Sequence, residues 1–166
     1  MTIWGHRRHD ALLRMRRSEW DAMIDELGRR GQERRESGAF LLADRDGAPT
    51  TVTRVIYLDD LDPNCLTGGI TFDGLAYSKL WDICDAENRR VVGDVHTHPG
   101  GSVRQSPIDA ANPMLAQAGH VALIVPHLAT RATKARSVGV HRYDGEGWET
   151  WTGRQADRCL LIGRWV

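Results

Sequence analysis

Residues 93–109 read Gly-Asp-Val-His-Thr-His-Pro-Gly-Gly-Ser-Val-Arg-Gln-Ser-Pro-Ile-Asp. Side chains at i and i+2 of a strand share a face, so His96 and His98 can present both imidazoles to one point. Zinc accepts imidazole nitrogen at about 2.0–2.1 Å and carboxylate oxygen at a similar distance, and a catalytic zinc keeps its fourth position for water. The third protein ligand has to come from elsewhere. Asp109 is the candidate, because it follows His98 across a Pro-Gly-Gly loop that can fold back. If Ser106 caps a helix, Asp109 falls in the first turn, where a carboxylate is favoured. One zinc ion per chain is the expectation. A lone histidine in a chain with seven is ordinarily structural or solvated, and a His-x-His pair has little specificity. Weight comes from the order His96, His98, Pro99, Ser106, Asp109, with a strand before it and a helix start after it. A zinc hydrolase also needs a base to take a proton from water and pass it to a leaving amine. Glu36 stands directly before the apolar run Ser37-Gly38-Ala39-Phe40-Leu41-Leu42-Ala43. If that strand neighbours the histidine strand, Glu36 lies at the cleft edge; taken alone it is a surface charge like Glu33.

The elements that position these groups are legible in outline. Ser18 suits an N-cap, and Trp20, Met23, Ile24 and Leu27 recur at helical spacing, with Gly28 or Gly31 as the stop. Residues 37–43 read as a buried strand, Asp46-Gly47 as a turn and 50–57 as the hairpin partner. Residues 59–69 read as an acidic loop. Leu75, Leu80, Trp81 and Cys84 suggest a second amphipathic helix that ends near Asn88. Residues 91–97 form the histidine strand. Residues 107–118 are expected as a short helix with Pro107 in its first turn. Residues 120–125 read as a strand, and 138–143 with 148–151 flank a hairpin turn at Asp144-Gly145-Glu146-Gly147. Residues 154–166 are ambiguous between helix and strand. The pattern is mixed α and β in one domain, a central sheet with helices packed on it. The expected division is a basic lead at 1–17, a catalytic domain at 18–153 and a C-terminal extension at 154–166.

A chain of 166 residues suits one domain with a sizeable core. Acids and bases balance at 22 each, so there is no global basic signature for nucleic acid. Arginines cluster before residue 36, which reads as a solvated helical face plus a tail, or as a docking patch for an acidic partner. No apolar run nears membrane-spanning length, and the first residues lack the apolar centre of a signal peptide. Cys65, Cys84 and Cys159 are too few and too scattered for a disulfide framework or a cysteine zinc finger. A cytoplasmic protein is expected.

A Glu opening an apolar strand, then His-Thr-His-Pro, then Ser-Pro-Ile-Asp, resembles the JAMM (MPN+, or JAB) metalloprotease family. The likeness runs from about Ser18 to Trp151. It implies a JAB/MPN-like, cytidine-deaminase-like fold with a curved, mostly antiparallel central sheet flanked by helices. It implies zinc held by His96, His98 and Asp109, Glu36 as general base and then general acid, and Ser106 as a hydrogen-bond donor to the oxyanion of the tetrahedral intermediate. Many members have proline before that serine, where this chain has Gln105.

The resemblance also implies hydrolysis after the C-terminal tail of ubiquitin or a ubiquitin-like protein. Such a tail can add as a strand beside a sheet edge, and residues 59–73 are the expected groove, either as an exposed edge or as a buried strand. Compact bacterial members can belong to antiphage conjugation operons with E1-like and E2-like partners. Three alternatives stay open: release of an amino acid such as cysteine from a ubiquitin-fold sulfur carrier, a phage-tail or cell-wall peptidase, and a metal-free MPN scaffold. No nucleic-acid or membrane partner is expected.

Overall fold

The computed structural model describes residues 11–67 and 69–164. The chain runs β1 (Leu13–Arg16), α1 (Arg17–Gly31), β2 (Gly38–Asp44), β3 (Arg54–Tyr57), α2 (Leu58–Leu61), α3 (Gly74–Ala86), β4 (Arg89–Thr97), α4 (Pro107–Ala111), β5 (Val121–Val125), β6 (Gly139–Tyr143), β7 (Trp148–Trp151), α5 (Ala156–Cys159) and β8 (Leu160–Gly163). Six strands form the central sheet in the order β3-β2-β4-β5-β6-β7. Every neighbouring pair is antiparallel except β4 and β5. This is the mixed α/β, mostly antiparallel architecture expected from the sequence.

The sheet separates two cores, because alternate residues of each strand face opposite ways. On one side Leu41, Val95, Leu123 and Val140 pack under α1 and the β1–β8 pair. On the other, Phe40, Leu42 and Ile56 pack with α2 and α3. Phe40 pairs with Asp94, so Asp94, His96 and His98 point to the α3 side, beyond the end of that apolar cluster.

Several boundaries depart from expectation. Ser18 is inside the first turn of α1; Arg16 holds the cap position without a side-chain hydrogen bond, since β1 runs straight into the helix. The helix stops at Gly31, with Gln32 left-handed at φ 52°. Gly28 instead allows close packing, because a Cβ there would lie 2.8 Å from the Ala129 carbonyl oxygen. β3 starts only at Arg54, and Thr51 bridges Arg14. The expected loop after it opens with α2, whose Leu58 and Leu61 are buried. In α3, Leu80 and Cys84 are buried as expected, whereas Leu75 and Trp81 face solvent. α4 ends at Ala111 rather than near 118. Pro113 offers no amide hydrogen and disfavours helical geometry at Asn112. Residues 154–164 contain both a helical turn and a strand, and β8 pairs in parallel with β1. The rest of the basic lead, Gly68 and Trp165 lie outside the described residues. All three cysteines are buried thiols. Among the described residues no helix is long and apolar enough to cross a membrane.

Candidate metal centre

The antiparallel register of β2 and β4 sets Gly38 opposite His96. The pairing continues past the start of β2 to the last residue of β4. The Thr97 amide donates to the Ser37 carbonyl at 2.9 Å, and the Ser37 amide donates to Thr97 Oγ1 at 3.0 Å. One step further along that register puts Glu36 opposite His98. The strand order therefore meets the condition on which Glu36 was a candidate. On the far side, the His98 amide donates to Val125 at 2.9 Å, and His98's carbonyl accepts from Leu128 at 2.8 Å. That second contact needs a turn in which His127, Leu128 and Ala129 are all left-handed, at φ 56°, 51° and 56°. Three such non-glycine residues in succession carry backbone strain of about 1–2 kcal/mol each, held here by the packing around them.

Asp109 arrives from α4. Ser106 caps that helix: Ser106 Oγ accepts from the Asp109 amide at 3.1 Å, and Asp109 Oδ2 accepts from the Ser106 amide at 2.8 Å. The reciprocal pair makes a capping box and sets the carboxylate's rotamer. Oδ2 then stands 3.7 Å from His96 Nε2 and 3.3 Å from His98 Nε2. The two Nε2 atoms are 3.1 Å apart. A tetrahedral ion with bonds of about 2.0–2.1 Å would space its ligand atoms about 3.3–3.4 Å apart, so the donor set fits zinc without rearrangement. His98 Nδ1 donates to the Ser102 carbonyl at 3.2 Å, which leaves the Nε2 lone pair free for an ion.

The electrostatics agree with a cation site. Burial raises the Asp109 carboxyl, but His96, His98 and the Ser106 contacts outweigh it and hold Asp109 well below the usual carboxylate range. Burial lowers His96, but Asp109 and Asp94 outweigh it and lift the imidazole to about 9. Glu36 is raised, chiefly by burial, with the two imidazoles opposing and Asp109 assisting. A cleft of about 590 Å³ opens over the cluster, with Glu36, Ser106, Ile70, Thr71, Ile108 and Trp148 in its walls. The structure thus brings together all five residues singled out in the sequence.

Sequence reasoning missed some of the supporting groups. Asp94 is buried and bonds His120 Nε2 at 2.6 Å. Its other oxygen stands 3.9 Å from His96 Nδ1. The period-two rule that paired the histidines would also have placed Asp94 on their face. The left-handed turn at 127–129 has no glycine or asparagine to announce it.

Fold and site together define a mixed α/β domain with a His-His-Asp cluster, at the floor of a cleft, able to hold a metal ion. No family model matches the chain. It is similar to a Desulfitobacterium hafniense protein solved in solution, with 18% identity over 90% of this chain and 92% of that one, at a TM-score of 0.59. A Salinibacter ruber protein gives 16% identity, coverage of 84% and 89%, and a TM-score of 0.55. A JAB1/MPN domain protein of Archaeoglobus fulgidus gives 15% identity, coverage of 86% and 90%, and a TM-score of 0.43. At these identities the likeness to the first two is one of fold.

Proposed function

We propose that this chain is a JAMM-type zinc metallopeptidase that hydrolyses the bond after the C-terminal tail of a ubiquitin-like protein. The observation that carries the reading is the triangle of His96 Nε2, His98 Nε2 and Asp109 Oδ2, with edges of 3.1, 3.3 and 3.7 Å, beside the half-buried Glu36. Zinc held there would polarise the scissile carbonyl and acidify water in the cleft.

The protein groups supply the rest. Burial raises Glu36, which suits a carboxylate that takes a proton from water and returns it to the leaving amine. Water oxygen then bonds to the carbonyl carbon, and the carbon–nitrogen bond breaks as nitrogen is protonated. Ser106 Oγ already accepts from the Asp109 amide. Its own hydrogen remains a donor for charge developing on the carbonyl oxygen.

The cleft wall supports this choice of substrate class. Thr67 donates to Gly69 and Thr71 donates to Cys65, a narrow ladder around the bridged pair Leu66 and Ile70. In such a ladder the bridged residues turn their own amide and carbonyl outward. Leu66's carbonyl accepts from Arg35, whereas Ile70 stands in the cleft wall. An extended, glycine-rich tail lies beside Ile70 by strand addition. Within this reading the partners are a ubiquitin-like protein and E1-like and E2-like proteins of a bacterial conjugation or antiphage system.

The test is zinc per chain together with cleavage of a ubiquitin-like protein that carries a C-terminal fusion after Gly-Gly. Wild type should hold one zinc and cleave. Glu36→Gln should hold one zinc and lose about 10²–10⁴-fold in kcat. Zinc with release only of a single appended amino acid would favour the sulfur-carrier reading. Absence of zinc would leave a binding scaffold.

A further inference from the structure

We infer that His141 is a positioning residue that latches the 99–105 loop onto the sheet and so sets where Asp109 meets the two histidines. The inference goes beyond the peptidase reading but shares its metal centre.

The loop between His98 and α4 has little secondary structure of its own. Among the described residues, three hydrogen bonds reach its carbonyls. The His127 amide holds Gly100 at 2.9 Å, and His98 Nδ1 holds Ser102 at 3.2 Å. His141 Nε2 holds Val103 at 2.9 Å. The His141 contact is the last before the Ser106 cap. It is also the one supplied from the far half of the sheet, since β6 is separated from β4 by β5. Asp94 pairs with Ala122, and Ala122 pairs with His141, so His141 lies on the face that carries the cluster.

Val103's carbonyl can only accept, so Nε2 carries the ring hydrogen and Nδ1 is left as an acceptor. Thr150 Oγ1, on β7, lies 2.9 Å from Nδ1 and donates to it. Both ring nitrogens are therefore engaged, on a residue that is 1% exposed. Burial lowers the imidazole's proton affinity, with the Val103 contact opposing, in keeping with a neutral ring. Gly139 completes the seat. A Cβ there would lie 2.0 Å from the Val103 oxygen and 2.7 Å from His141 Nε2, so only a residue without a side chain lets the loop come down to the strand.

The mechanical consequence is specific. Asp109's carboxylate is oriented by the capping box, but the box only fixes it relative to α4. α4 is held at its C-terminal half by Trp148 Nε1, which donates to the Ala110 carbonyl at 3.1 Å, and at its start by the loop before it, whose nearest anchor is His141. Release of the latch lets the carboxylate drift relative to two imidazoles that β4 holds in place.

The experiment compares wild type, His141→Phe, His141→Gln and Thr150→Val, each freed of metal and then titrated with zinc against a competing chelator. Amide hydrogen exchange of the metal-free proteins is measured in parallel. Phenylalanine fills the space and removes both hydrogen bonds. Zinc affinity should fall about 10–100-fold, as for other groups that orient ligands from behind. Exchange should quicken in 99–109 and not in β2 or β5. Glutamine keeps a donor for Val103 and should recover most of the affinity. Thr150→Val, which leaves the Val103 contact in place, should give an intermediate loss and serves if the phenylalanine variant does not fold. Wild-type zinc affinity and unchanged loop exchange in folded His141→Phe and Thr150→Val would overturn the latch. A wild type that binds no zinc would sink the metal-centre reading, and loop exchange in the same variants would still decide the latch.

Discussion

His96 should make the metal-free protein weaken, and the zinc complex strengthen, over the same rise in pH. Burial alone would lower this imidazole, yet Asp109 and Asp94 lift it from 6.5 to about 9. At about 1.4 kcal/mol per tenfold, that gap is about 3 kcal/mol in favour of the charged ring in the folded, metal-free cluster. The folded value lies above the unfolded one. The contribution is therefore fully present below 6.5 and is lost as pH rises through about 9. Between pH 6.5 and 8.5 the loss is about 2 kcal/mol, or about 4–8 °C in Tm for a chain of this size. Zinc needs the same ring without its proton. The fraction of metal-free protein in that state rises about 75-fold over the interval, and apparent zinc affinity should rise with it. Differential scanning calorimetry of metal-free protein and chelator-competition titrations at five pH values measure the two trends. Asp94→Asn removes one of the two supporting carboxylates and should flatten both. Slopes that are equal in wild type and Asp94→Asn, or a metal-free Tm that climbs with pH, would refute the account of His96.

The remaining predictions concern single contacts. Asp109→Asn should lower zinc affinity by at least about 10²-fold and abolish hydrolysis, and the metal-free protein should lose about 1 kcal/mol with the capping box and, near pH 6.5, part of the stability that charged His96 contributes. Ser106→Gly loses the hydroxyl but leaves a tolerable N-cap, so kcat should fall about 10²–10³-fold with a stability change of only a few tenths of a kcal/mol. An equal loss of stability and activity would mean the hydroxyl is only a cap. Gly28→Ala places a Cβ 2.8 Å from the Ala129 oxygen and should lower stability by about 1–3 kcal/mol in chemical denaturation, through the turn that bonds His98.

The parts of the site legible in the sequence share a cause. His96 and His98 are tied by strand periodicity, Ser106 and Asp109 by a capping box, and each relation reaches at most three positions along the chain. Such short-range rules survive folding because they depend on backbone geometry alone. Glu36 lay one step further off. Its candidacy rested on β2 lying beside β4, which is a property of topology, and Gly38 opposite His96 supplied it. The misreadings have local causes too. Hydrophobic spacing put Leu75 and Trp81 inside, but α3 has one covered face and both residues lie off it. α2 was hidden among acids, since Asp59 and Asp60 are held by Arg30 of α1, a contact across 29 and 30 positions.

The groups that remained unseen stand behind the candidate metal ligands. Asp94 and His141 each look unremarkable in sequence, a buried acid and a strand histidine. Their meaning lies in one row of the sheet, where Asp94, Ala122, His141 and Thr150 stand side by side on β4, β5, β6 and β7. Asp94 backs His96, and His141 holds the loop that brings Asp109. A single cross-strand row thus supports ligands that arrive from opposite ends of the motif. Strand order β4-β5-β6-β7 is what creates the row, and no spacing within 93–109 encodes it. The candidate ligands are accordingly a property of the motif, and their support is a property of the sheet.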